Sequence, residues 1–283
     1  MRIVVRTIYG ANLQTALLLG IPFVPVPHST LNEKFDILKD QIIPDGIMPR
    51  LSYYCIGNGG HRVIGGADGI PYTSPINHRA SDAGLFNQIP FVMRHTDDDL
   101  PTAERNRYAL RKLESIEGVE YISYYLKRID LGSTLMSMQH TSVVDGDSTM
   151  TPFMPSTANL NPAHPELPNS GVISTDGNYL SCSAIIPIEF NDRDVQELVN
   201  VSNILYQTEQ RAIISEIGLC SGIDHITALE GATGMGSPMI NEAIAVQIST
   251  HITGYYPVGY TSRGFELQIE AGATEPMLGD QFQ

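Results

Sequence analysis

Ile244-Ala245-Val246-Gln247-Ile248-Ser249-Thr250-His251-Ile252-Thr253 sets Ile, Val, Ile, Thr and Ile against Ala, Gln, Ser, His and Thr. Successive strand side chains point to opposite faces, so this alternation predicts a half-buried β-strand. Working outward, Phe265, Leu267 and Ile269 alternate with Glu266, Gln268 and Glu270 as a final strand. Upstream, Arg211–Leu219 (RAIISEIGL) and Tyr179–Phe190 read as strands, and Pro187 puts the latter near a sheet edge. Asp194–Leu205, with Val195, Leu198, Val199 and Leu205, has the spacing of a short amphipathic helix. Strands outnumber helices and do not alternate with them. The expected class is therefore α+β and β-rich: an antiparallel sheet or sandwich core, two or three short helices and a long irregular arm.

Toward the N-terminus, Arg2–Tyr9 is β-branched and predicts a strand, and Leu31–Ile42 a short helix. Ala16–Val26 is apolar and follows Arg2 and Arg6, but Pro22, Pro25 and Pro27 break it, so no targeting segment is expected. No apolar run reaches the roughly 18 residues of a membrane helix. Residues 43–90 are rich in turn signals, among them Gly57-Asn58-Gly59-Gly60. Asp97–Asp99, Pro101 and Gly118 bracket a predicted helix over 101–116, with Ala103, Leu110, Leu113 and Ile116 inward. Val119–Leu131 predicts a tyrosine-rich strand. Thr141–Asn178 holds five prolines and no useful period. The expected organisation is a mixed part over 1–140, an extended arm over 141–178 and a β-rich acidic part over 179–283, the last either separate from the first or one continuous domain with it.

The net charge of −14 is uneven. Residues 1–128 carry 14 Lys/Arg against 13 Asp/Glu, whereas residues 129–283 carry 3 against 18. An acidic surface repels phosphate backbones, which argues against nucleic acid as a direct partner of the second half. Cys55, Cys182 and Cys220 are odd in number and widely spaced, so buried thiols fit better than disulfides or a zinc site.

No motif assembles a catalytic set. Gly218-Leu219-Cys220-Ser221-Gly222 has nucleophile-elbow spacing, with His225 or His251 as candidate bases, but the glycine-rich text after it does not favour the required helix. Gly231–Gly236 lacks the lysine of a phosphate loop. Asp145-Gly146-Asp147 lacks the further acids of a calcium loop and reads as a polar turn. No metal and no cofactor is expected. The tyrosines at 121, 124, 125, 255, 256 and 260 could form a contact face.

Leu100–Asp130 (LPTAERNRYALRKLESIEGVEYISYYLKRID), Ala212–Asp224 (AIISEIGLCSGID) and Thr151–Pro168 (TPFMPSTANLNPAHPELP) resemble uncharacterised virion structural proteins of tailed bacteriophages. The resemblance covers about half the chain and transfers no site residues. It implies a tail, neck or baseplate subunit, made in the host cytoplasm and located in the virion. Its partners would be copies of itself in a symmetric ring and other virion proteins, with no membrane and no enzymatic activity. The expected contact residues are Phe153, Met154 and Leu160 on the arm, with Tyr255 and Tyr256. Two other classes compete: a hydrolase using Cys220, and a carbohydrate- or receptor-binding β-domain.

Overall fold

The computed structural model describes residues 3–66, 69–132, 134–144, 147–162, 178–228, 239–259 and 263–277. In chain order its elements begin with β1 (Ile3–Arg6), α1 (Ile8–Leu19), α2 (Leu31–Phe35), β2 (Arg50–Gly57), β3 (His61–Gly65), β4 (Pro71–Pro75) and β5 (Gln88–Ile89). There follow β6 (Val92–His95), α3 (Thr102–Arg105), β7 (Tyr108–Ile116), β8 (Val119–Arg128), β9 (Met136–Val144), β10 (Asp147–Pro152) and α4 (Thr157–Leu160). The rest are β11 (Asn178–Phe190), α5 (Asp192–Tyr206), β12 (Ile213–Ala228), β13 (Met239–Pro257) and β14 (Phe265–Pro276). The fold is α+β and β-rich, with antiparallel sheets and short helices, as the periodicities predict.

The chain divides into two units where three sequence segments were expected. One is Met1–Ile129 with Glu189–Phe265, the other Asp130–Ile188 with Glu266–Gln283. The 1–140 and 179–283 parts thus interleave, and the arm belongs to a unit with its own sheet.

In the first unit the sheet runs β1-β13-β12-β2-β8-β6, with β5 on β2 and β7 on β8. Its long pair, β12 and β13, is antiparallel from Ile213↔Pro257 to Ala228↔Met239, with bulges that let it twist. Contrary to the half-buried expectation, β13 is buried on both faces from Glu242 to Ile248. Gln247 donates to Ser29 Oγ, and Asn32 Nδ2 donates to the Ala243 carbonyl at 2.9 Å, so the loop before α2 and α2 itself cover that strand's polar positions. A core of Leu31, Phe35, Tyr53, Cys55, Leu110, Leu126, Cys220, Val246 and Ile248 lies within this unit. A second, aromatic cluster joins Tyr54, Phe91, Tyr108, Phe190 and Phe265.

The 101–116 helix is corrected. Only Thr102–Arg105 is helical, and Tyr108–Ile116 is a strand paired along β8. Glu117 (φ 51°) and Gly118 (φ 84°) both lie in the left-handed region and join Ile116 to Val119 opposite it. That is a two-residue hairpin turn with positive φ at both positions, so Gly118 closes a hairpin rather than a helix. Residues 43–90 are corrected too: Arg50–Gly57 is a core strand, and β3 and β4 pair as a hairpin. The predicted N-terminal strand stops at Arg6, where Thr7 accepts from the Gly10 amide at 3.0 Å and caps α1. Gly10 is required there, because a Cβ would stand 2.6 Å from the Ser249 carbonyl oxygen of β13.

In the second unit the sheet order is β10-β9-β11-β14. Thr141–Val144 and Asp147–Pro152, read as irregular from sequence, form the β9–β10 ladder, with Asp147 opposite Val144. Residues 163–177 of the expected arm lie outside the described residues.

Candidate functional site

Among the described residues no acid or base is hydrogen-bonded to the Cys220 thiol. It is fully buried, 3.7 Å from Cys55 Sγ and 3.4 Å from the Gly218 carbonyl. Burial, with Cys55 adding to it, pushes the thiol well above its ordinary pKa, the opposite of what a nucleophile needs. His251, a candidate base, is engaged elsewhere, and His225 lies further along β12. The Gly231–Gly236 motif and the Asp145-Gly146 turn lie outside the described residues. Among the described residues no three His, Cys, Asp or Glu side chains are placed to hold a metal ion, and no helix is long and apolar enough to cross a membrane.

A buried polar cluster in the first unit escaped sequence reading. Glu216, at 0 % exposure on β12, accepts from the amides of Phe86 (2.7 Å), Gly59 (2.8 Å) and Asn87 (3.2 Å). His78 places Nε2 2.8 Å from Glu216 Oε2 and Nδ1 3.2 Å from Asp82 Oδ2. The ring thus bridges the two carboxylates. His78 is sandwiched between Phe86 (4.0 Å) and His251 (3.9 Å), and His251 Nε2 donates to the Asp82 carbonyl at 3.0 Å.

Burial alone would raise the Glu216 carboxyl; the hydrogen bonds from His78, Phe86, Asn87 and Gly59 outweigh it and hold the pKa below the ordinary value. Burial pushes His251 down to about 4, although its bond to the Asp82 carbonyl opposes the shift. This cluster has the composition of a catalytic site, but Glu216, His78 and His251 are enclosed, and Glu216 and His78 are taken up by their partners. What it does is fasten the 58–60 and 78–87 loops to β12. The Gly57-Asn58-Gly59-Gly60 run serves this contact: a Cβ on Gly60 would meet Glu216 Cγ at 2.4 Å.

The expected contact residues divide. Phe153 is half-buried, its amide bonded to the Met138 carbonyl at 2.9 Å, which continues the β9–β10 ladder by one residue. Met154 and Leu160 stand 81 % and 82 % exposed, on either side of the Ser156 cap of α4. Tyr255 is exposed and meets His61 edge-on, whereas Tyr256 is half-buried and stacks on Phe265. Adjacent strand residues face opposite ways, so these two tyrosines do not share one surface.

All six residues of β10 are exposed, and Met136, Met138 and Met150 of the β9–β10 hairpin lie open. A second apolar surface, in the first unit, was missed in the sequence. α1 has no charged residue and buries only Leu13 and Ala16. The segments 17–25 and 41–48 beyond it enclose a groove of about 810 Å³, lined among others by Leu17, Ile21, Val24, Ile42 and Ile47. Its signal in the sequence is the absence of any Asp, Glu, Lys or Arg between Arg6 and Glu33.

No curated protein and no solved structure matches the chain. A family model does match it, over residues 1–283, and the chain therefore belongs to DUF7208, a family of unknown function.

Proposed function

We propose that this protein is a structural subunit of a phage virion, in the tail, neck or baseplate, that acts by binding neighbouring subunits. The observation that carries the assembly reading is the β9–β10 hairpin with the segment after it. Met136, Met138, Met150, Met154 and Leu160 are all exposed there, on a ladder whose outer strand buries nothing. β10 is the edge of its four-stranded sheet, and apolar residues left open along such an edge are explained by a partner that covers them. Met suits such a contact because its flexible thioether adapts to an irregular surface. The virion placement rests on the sequence resemblance alone. The acidic second half, 3 Lys/Arg against 18 Asp/Glu, directs these contacts to protein rather than to nucleic acid.

Sedimentation velocity on the purified chain tests the assembly reading. The wild type is expected to form oligomers of defined size. Met136→Glu with Met150→Glu is expected to give a folded monomer, because both side chains are exposed and their loss removes no core. A wild-type chain that stays monomeric up to the solubility limit, or that is absent from purified particles, would overturn the proposal.

A further inference from the structure

We infer that the apolar groove beside α1 receives the arm of a second copy of this chain, namely Met154 and Leu160 with the adjoining β9–β10 hairpin. The inference rests on the assembly reading and assigns the site at which copies meet.

Three observations converge on this occupant. The first is charge. At a net −14 two copies repel one another, so a contact between them must lie where charge is absent. The stretch between Arg6 and Glu33 is free of charged residues, and so is the stretch between Asp147 and Glu166. The first supplies α1 and one wall of the groove, and the second supplies Met150, Met154 and Leu160. Within these two stretches the contact desolvates no charge, and Asp45 on the opposite groove wall and Asp147 at the start of β10 can stay at the rim.

The second is shape. The groove is concave, and its volume of about 810 Å³ lies within the range that buries most of a bound ligand. A concave surface cannot fill its own copy across a two-fold axis; it needs a projecting element. Among the described residues the hairpin and the short capped turn α4 carry exposed apolar side chains and one carboxylate, Asp147. The third is the state of the groove wall. Val24 is 76 % and Ile42 86 % exposed in the single chain, on backbone outside any helix or strand that carries Pro22, Pro25, Pro27 and Pro44. Prolines pre-set such a wall and lower the entropy lost on binding. Groove and arm are different surfaces, so the contact is head-to-tail, the kind that closes into a ring when the rotation allows.

Cross-linking between two populations tests this. Both carry Cys182→Ser, which removes the exposed thiol and leaves Cys55 and Cys220 buried. One adds Ile42→Cys and the other Met154→Cys, with tags of different mass, and a short bismaleimide is applied to the mixture. The expected product contains one chain of each kind. Val24→Glu is expected to raise the concentration for half-dissociation of the oligomer about tenfold or more, with an unchanged thermal melt. Oligomers that cross-link only like with like, or not at all, would overturn the inference and leave the assembly reading standing. A chain carrying both cysteines that cross-links only to itself would show the groove filled from within and also overturn it. Monomers at every concentration would remove both.

Discussion

His251→Phe isolates one titration in the buried cluster. The imidazole is 1 % exposed, stacks 3.9 Å from His78 at an interplanar angle of 11°, and donates to the Asp82 carbonyl at 3.0 Å. Its Nδ1 finds no hydrogen-bond partner among the described residues, so a second proton would be buried there without an acceptor. Burial first, and then the neighbouring His78, push its pKa down to about 4 from an ordinary 6.5. A group depressed on folding binds its proton more readily in the unfolded chain. Stability is therefore intact above about pH 6.5, falls as the pH drops and levels off below about 4. At pH 5 the chain is about 1.5 pH units into that window, and at about 1.4 kcal/mol per unit the loss is about 2 kcal/mol. That is a sizeable part of the 5–15 kcal/mol of a typical domain (about one seventh to two fifths).

Phenylalanine keeps the flat ring and the stack but cannot titrate. It forfeits one hydrogen bond and leaves the Asp82 carbonyl unpaired, which costs about 1–3 kcal/mol at neutral pH. Urea unfolding followed by circular dichroism, from about pH 7.5 to about pH 5, is the assay. Staying above the Glu216 window, which opens below its ordinary 4.5, keeps that carboxyl out of the comparison. The variant should start less stable than the wild type and lose less on acidification, so that the gap narrows by about 2 kcal/mol at pH 5. Parallel curves would show that His251 does not titrate differently on folding and would refute the reasoning.

Leu110→Ala empties a fully buried site in the main core and should cost about 2–5 kcal/mol in urea unfolding, whereas half-buried Leu113→Ala should cost clearly less. Asp194→Ala removes both the carboxylate 2.7 Å from buried Lys127 and part of the capping box of α5; a loss of about 3–5 kcal/mol is expected, read from the denaturation midpoint. Native protein treated with a thiol reagent should modify Cys182 alone, and Cys55 and Cys220 only after unfolding; rapid native reaction of Cys220 would contradict its enclosure.

The strands with clean alternation were legible: Tyr179–Phe190, 244–253 and 265–270 fall on β11, β13 and β14, Arg211–Leu219 overlaps β12 from Ile213 onward, and Asp194–Leu205 falls within α5. The 101–116 error shows why propensity is a weak guide. Ala, Glu, Arg, Leu and Lys dominate that stretch and favour helix, yet pairing along the whole of β8 overrides the local preference. Glu117-Gly118 carried the correct signal, a two-residue turn between segments that can pair. The Glu216 cluster was not legible, because its members come from positions 59, 78, 82, 86, 87, 216 and 251 and meet only through the sheet. The glycines at 57, 59 and 60 hinted at it, but tight turns and close backbone approach leave the same trace in a sequence.

The helix α1 was missed for a reason that bears on function. Periodicity detects a helix by the contrast between its apolar and polar sides. α5 has that contrast, and the residues it buries form one stripe, with Val195, Leu198, Val199 and Ser202 among them. α1 lacks it: Ile8, Leu13, Ala16, Leu17, Leu18 and Leu19 leave no charged side to mark the solvent face. Its capping signals, Thr7 and the left-handed Gly20, were present but stood beside an apolar run broken by prolines, which does not read as a helix. A helix with one apolar side is satisfied by one neighbour. A helix apolar on several sides needs more than one: α1 meets β13 through the bare backbone of Gly10 and packs Leu13 and Ala16 with Phe23, Ile43 and Met48, yet Leu18 remains 84 % exposed. The missing contrast that hid α1 in the sequence is thus the same property that calls for a further covering surface.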